Sequence, residues 1–115
     1  MPWEGHIRGF RGRRWITGLR PQIPINFEEN WTKTIDVNLT ASFFCSQEVI
    51  KFMIKRKEGS IINITSLNAE LAFPKNPSYV ASKGGLKMVG KALAKDWGKF
   101  GIRVNNLGPG YIKTN

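Results

Sequence analysis

The chain has 115 residues, 41% of them apolar, with 18 Lys+Arg against 8 Asp+Glu and a formal net charge of +10. That is the size of one small domain or part of a larger one, with enough apolar content for a core. The single cysteine, Cys45, excludes an internal disulfide and fits a reducing compartment, and the lone histidine, His6, leaves no metal cluster and no supported Cys/His nucleophile. No apolar run approaches the roughly 18 residues of a membrane span. The N-terminus has no apolar stretch suited to a secretory signal, so a soluble cytoplasmic protein is expected.

Residues 1–24 differ from the rest. They hold Arg8, Arg11, Arg13, Arg14 and Arg20 against Glu4 alone, with glycines and prolines throughout and no lasting periodicity. The basic excess is therefore partly local. An irregular, solvated segment is expected here, with phosphate contacts to nucleic acid, helped by Trp3, Phe10 and Trp15, as the alternative.

From residue 25 the pattern is that of a folded domain. Asn26 with Glu29 resembles a capping box. Trp31, Ile35 and Leu39 follow at helical spacing, and the apolar positions from Phe43 to Ile54 are too long a run for a strand. One long, bent helix from about Glu28 to about Arg56 is predicted, buried on more than one side, with Cys45 a small core residue. Glu58-Gly59 breaks it. Ser60 to Ser66 is short and β-branched, as an inner parallel strand requires. Leu67 to Lys75 is a predicted loop. Asn76-Pro77 gives a capping residue and a proline at the first helical position, opening a helix that runs to about Lys99 and ends at Gly101. Arg103 to Leu107 is a second short strand, closed by Gly108-Pro109-Gly110. Two strands joined through such a helix imply a right-handed parallel crossover, an α/β unit.

Chemistry gathers at Ser66, Tyr79 and Lys83. Ser66 sits at the predicted C-terminal end of an inner strand, the edge at which open parallel sheets bind ligands. Tyr79 and Lys83 are four apart near a helix start and share one face. A tyrosine hydroxyl ordinarily ionises near a pH of about 10, and a neighbouring ammonium favours the phenolate, so the pair suits a tuned acid/base. A serine hydroxyl beside them can hold a substrate carbonyl or alkoxide by a hydrogen bond. The row Lys83, Lys87, Lys91, Lys95 and Lys99 winds about 40° per step around an ideal helix, so its last three members are expected in solvent rather than at a polyanion site. Asn68 and Glu70 are equally explained as loop polarity or as substrate contacts.

Tyr79-Val-Ala-Ser-Lys83, the serine thirteen residues before it, Asp36-Val37-Asn38-Leu39-Thr40 and Arg103-Val104-Asn105 with Gly108-Pro109-Gly110 together resemble the short-chain dehydrogenase/reductase family in order and spacing, from about Asn26 to Asn115. The resemblance implies a partial Rossmann-type doubly wound sheet and NAD(P)-dependent oxidoreduction of an alcohol or carbonyl. It implies that Tyr79 is the general acid/base and that Lys83 assists it and bonds the nicotinamide ribose. It further implies that Ser66 orients the substrate oxygen, and that Asn38 holds a relay water at a local break in the long helix. Pro109, Gly110 and Thr114 are then expected near the nicotinamide, and the two long helices are expected to pair between subunits of a homo-oligomer.

The sequence also departs from the family. The Thr-Gly-x-x-x-Gly-x-Gly turn that grips the dinucleotide is absent, as are the Asn-Asn-Ala-Gly segment and the residue that selects NAD over NADP. The sequence stops just after Thr114, before the family's substrate-covering segment. A partial domain over 25–115, exposing sheet edges and apolar helix faces, is expected. The competing expectation is an inactive truncated fragment acting by binding, through a basic nucleic-acid-contacting tail.

Overall fold

A computed structural model describes residues 27–72 and 76–114. The basic segment 1–24 and the Asn26 half of the capping box lie outside the described residues.

The long helix forms as a rod with a register change inside it. Helix α1 (Phe27–Ile35) and helix α2 (Ala41–Arg56) are joined without interruption by a π-helical segment, Asp36–Thr40. There the Ala41 N–H reaches back to the Asp36 carbonyl, five residues away, in place of the usual four. No proline lies between Phe27 and Arg56; this widened turn is the one departure from α-helical register in the rod. The rod ends at Arg56, as predicted. Lys57 adopts the left-handed conformation with φ 58°, and the N–H groups of Lys57 and Glu58 cap Ile54 and Met53 at 3.2 and 3.3 Å. A glycine is the usual occupant of such a position. Gly59 instead starts the next strand, where a Cβ would lie 2.7 Å from Met53 Cγ.

Strand β1 (Gly59–Ile64) pairs in parallel with strand β2 (Ile102–Leu107), from Gly59 opposite Ile102 to Ile64 opposite Leu107. The crossover is helix α3 (Pro77–Trp97), followed by a 3-10 turn, Gly98–Phe100, and by Gly101 with φ 79°. This is the predicted α/β unit. Pro77 opens α3 as expected, but the Asn76 side chain makes no capping bond; its backbone carbonyl accepts from Val80 N–H at 3.1 Å. Within the predicted loop after β1, Leu67–Ala69 forms one 3-10 turn.

The core is small and lies toward the N-terminal ends of the strands. Ile50, Leu93, Ile102 and Val104 are buried together, with Met53, Ile61, Val89, Ala94, Trp97 and Phe100 packed around them. Helix α2 buries one side only: Ser46 and Ile50 are buried while Phe44, Val49, Phe52 and Ile54 are exposed. The prediction of burial on more than one side does not hold, because a two-stranded sheet offers the helix a single surface. Cys45 is exposed for the same reason, not a core residue. Ile62, Ile64 and Leu107 likewise line an uncovered sheet face, the exposed surface expected of a partial domain. No described helix is long and apolar enough to cross a membrane.

Candidate active site

The candidate site residue Ser66 follows the C-terminal end of β1, and the parallel pairing of β1 with β2 continues past the strands. The Thr65 N–H donates to the Leu107 carbonyl at 2.8 Å, and the Leu67 N–H to the Pro109 carbonyl at 3.0 Å. These two bonds hold the Ser66 segment beside the Gly108-Pro109-Gly110 loop. The approach is close: a Cβ on Gly108 would stand 3.1 Å from Thr65 Oγ1.

Ser66 lies two residues beyond the strand and begins the Leu67–Ala69 turn. Its hydroxyl accepts from the Asn68 backbone N–H at 3.1 Å. That bond occupies a lone pair and leaves the hydroxyl proton free to donate outward. The turn packs against α3.

Lys83 reaches across from α3 and donates to the Ile64 carbonyl at 2.8 Å, the last carbonyl of β1. The same ammonium stands 5.8 Å from the centroid of the Tyr79 ring, cation–π range. Tyr79 is half-buried. The predicted one-face pairing is therefore present, and it is anchored to the sheet edge.

Asn38 arrives from the π segment. Its Nδ2 donates to Ser82 Oγ at 3.1 Å, and Ser82 Oγ donates to the Tyr79 carbonyl at 2.7 Å. Asn38 also accepts from Ser42 Oγ at 3.1 Å through its backbone carbonyl. Asn38 and Lys83 line one groove of about 490 Å³, with Asn63, Ile64 and Leu86 in its wall. Ser66 lines another, of about 650 Å³, with Glu70, Lys87 and Gly108. The two linings have no residue in common, and Tyr79 lines neither. Gly110 stands over Leu67, while Thr114 is exposed beyond the anchored part of the loop.

The lysine row divides as its helical drift requires. Lys87 is half-buried and forms an ion pair with Glu70, whereas Lys91, Lys95 and Lys99 are exposed. The hydrogen bond from Lys87, and then its charge, hold the Glu70 carboxyl below its ordinary range. Glu70 thus has an intramolecular partner. Ser82 is the residue the sequence reasoning passed over. It is fully buried, and its place three residues after Tyr79, on the same helical face, was the available signal.

Residues 16–115 match the family described as short chain dehydrogenase. The chain belongs to the short-chain dehydrogenase family. It is 41% identical over 86 residues to a 2-dehydro-3-deoxy-D-gluconate 5-dehydrogenase of Formosa agariphila, a match covering 75% of this chain and 33% of that protein. Among solved structures it is similar to a gluconate 5-dehydrogenase from Burkholderia cenocepacia in complex with NADP and tartrate. There the TM-score is 0.72 and the identity 42%, over 75% of this chain and 34% of that one. A 4-hydroxyisoleucine dehydrogenase complexed with NADH and succinate aligns with a TM-score of 0.69 and 40% identity, over 76% of this chain and 40% of that one. This short-chain dehydrogenase chain spans about a third of the length of the relatives it matches. Its α/β unit is the corresponding part of their Rossmann-type fold.

Proposed function

We propose that the chain serves NAD(P)-dependent oxidoreduction of an alcohol or carbonyl, with Tyr79 as acid/base. The observation that carries this is the Lys83 ammonium, fixed to the Ile64 carbonyl with the Tyr79 ring beside it at the ligand-binding edge of a parallel sheet. Tyr79 transfers the proton to or from the substrate oxygen. Ser66, its hydroxyl proton left free by the Asn68 N–H, holds that oxygen. Asn38, sharing a groove with Lys83, supports the proton path behind the tyrosine.

The residues present fit the nicotinamide-ribose end of the cofactor. Lys83 keeps two ammonium protons beyond the one given to Ile64, and the Pro109–Gly110 backbone is anchored beside Ser66. Tyr79, Lys83, Pro109, Gly110 and Thr114 would hold that end. A bound nicotinamide supplies or accepts the hydride. The relatives act on gluconate derivatives, one beside NADP, and another neighbour binds NADH with succinate. A secondary hydroxyl or ketone of a polyhydroxy acid is accordingly the substrate class proposed, with either nucleotide. The setting is the cytoplasm, and exposed Phe44 and Phe52 on α2 and Met88 on α3 support a homo-oligomer through these helices.

The test is a titration of the purified chain with NADH and NADPH, followed by nicotinamide fluorescence. Saturable binding that Lys83→Ala weakens supports the proposal. No binding at millimolar nucleotide overturns it in favour of a fragment that acts without turnover.

A further inference from the structure

We infer that Ser82 is the positioning residue that locks the π segment to the Tyr79–Lys83 turn and fixes which way the Asn38 amide faces. The inference rests on the role proposed for Tyr79, Lys83 and Asn38.

Ser82 is fully buried, with no exposed surface. A buried hydroxyl on a helix commonly bonds a carbonyl one turn back, and Ser82 does so, donating to Tyr79 O at 2.7 Å. Its single proton is then committed, and Ser82 Oγ can only accept from anything else. The partner it meets is Asn38, at 3.1 Å. The amide must therefore present Nδ2 to Ser82, which leaves Oδ1 as the acceptor Asn38 still has to offer. An asparagine whose orientation is otherwise a two-fold choice is thereby held in one.

The link spans two elements that are 44 residues apart in sequence. It is made where the helical register is widened, at Asp36–Thr40. A π turn persists only when surrounding contacts favour it over the ordinary α register. Two contacts from α3 fall on it: the Ser82 bond to Asn38, and the side chain of Leu39, seated where a Cβ on Gly85 would lie 2.9 Å from its Cδ2. Ser82 thus ties the widened turn to the carbonyl of Tyr79, and Lys83 follows it directly in the chain.

The experiment is a mutant cycle on the whole chain, with Ser82→Ala, Asn38→Ala and the pair together. The readouts are the Asn38 side-chain amide resonances, Tyr79 ring resonances and backbone hydrogen exchange across Asp36–Thr40. Removing the serine hydroxyl strands the Asn38 donor, and exchange in the π segment is expected to rise about tenfold. The Asn38 amide signals should move toward solvent-exposed values and the Tyr79 ring signals should shift. The double variant should be no worse than the more affected single one, and Ser82→Thr, which keeps the hydroxyl, should restore the Asn38 and Tyr79 signals. If Ser82→Thr fails to fold, the cycle alone decides. Effects of the two alanines that simply add, or Asn38 signals untouched by Ser82→Ala, overturn the inference. A parallel nucleotide titration separates the two ideas: loss of binding by every variant and by the parent chain removes the proposed function, while the amide signals still answer for Ser82.

Discussion

Gly90→Ala puts the seat of α3 on β2 under direct test. Gly90 is buried, and an added Cβ would stand 2.9 Å from Asn106 Cγ and 3.1 Å from its Nδ2, closer still to Oδ1. That Asn106 is not free to swing away without cost, because its Nδ2 donates to the Lys87 carbonyl at 2.9 Å. Breaking this buried bond costs about 1–3 kcal/mol, and overpacking at a tight seam costs about 1–3 kcal/mol more. Against them stands the helix preference of alanine over glycine, about 0.8–1 kcal/mol. The unfavourable terms win, with a net loss of about 2 kcal/mol expected in urea unfolding followed by far-UV circular dichroism. The decisive comparison is Gly90→Ala in an Asn106→Ala background. With the obstructing amide removed, only the helix preference remains, and the same substitution should then stabilise by about 1 kcal/mol. A stabilising Gly90→Ala in the parent chain, or no change of sign between the two backgrounds, refutes the reasoning.

Gly101→Ala should destabilise by at least about 2 kcal/mol in the same assay, because the new Cβ meets both a left-handed φ of 79° and the backbone carbonyl of Lys57. Tyr79→Phe should abolish turnover of a sugar-acid substrate while weakening the nucleotide titration less than Lys83→Ala does, since it removes the hydroxyl but keeps the ring and the lysine. The Glu70 carboxyl, held low by Lys87, adds stability that is present above its ordinary range and is lost as pH falls through the lowered value; Glu70→Gln should flatten that acid limb of a thermal-melt series. Replacing Phe44 and Phe52 together by glutamate, both exposed on α2, should shift size-exclusion elution from oligomer to monomer if the helices pair between subunits.

Much of this structure was legible because local chemistry and tertiary demand agree. Pro77 opens α3, Gly101 closes it, and β-branched Ile61 and Ile62 lie in β1 as their composition suggests. The Tyr79–Lys83 spacing gave the shared face directly, since four residues on a helix permit little else. The misreadings have physical causes. Helix-wide apolarity does not say how many partners a helix has, so Cys45 reads as a core residue although one sheet surface is available to α2. Lys57 in the left-handed region breaks the habit that assigns such positions to a neighbouring glycine. The side chain of Asn76 fits the profile of a cap but makes no capping bond, and its carbonyl accepts only the first ordinary helical bond, from Val80. Ser82 looked like a spacer inside a motif, because nothing in a linear sequence shows that Asn38 returns to it from another helix.

The two ends of the crossover unit are stabilised by different forces. Ile50, Leu93, Ile102 and Val104 close the end where β2 begins and α3 finishes by apolar burial, beside the backbone bonds of the strands and helix ends. Around the site the attachments are polar: Lys83 to Ile64 O, Asn38 to Ser82, Asn106 to the Lys87 carbonyl, and Leu67 to Pro109. Apolar packing is non-directional and tolerates small shifts, so it can hold the crossover without fixing any one side chain. Hydrogen bonds are directional and lose strength steeply off their geometry. For a tyrosine, a lysine and an asparagine to meet one small ligand, as proposed for Tyr79, Lys83 and Asn38, bonds of the second kind are needed. Placing the core at one end and the polar ties at the other lets the chain vary its apolar residues without disturbing the geometry of Tyr79, so long as Ser82, Asn106 and the Leu67 backbone keep their partners.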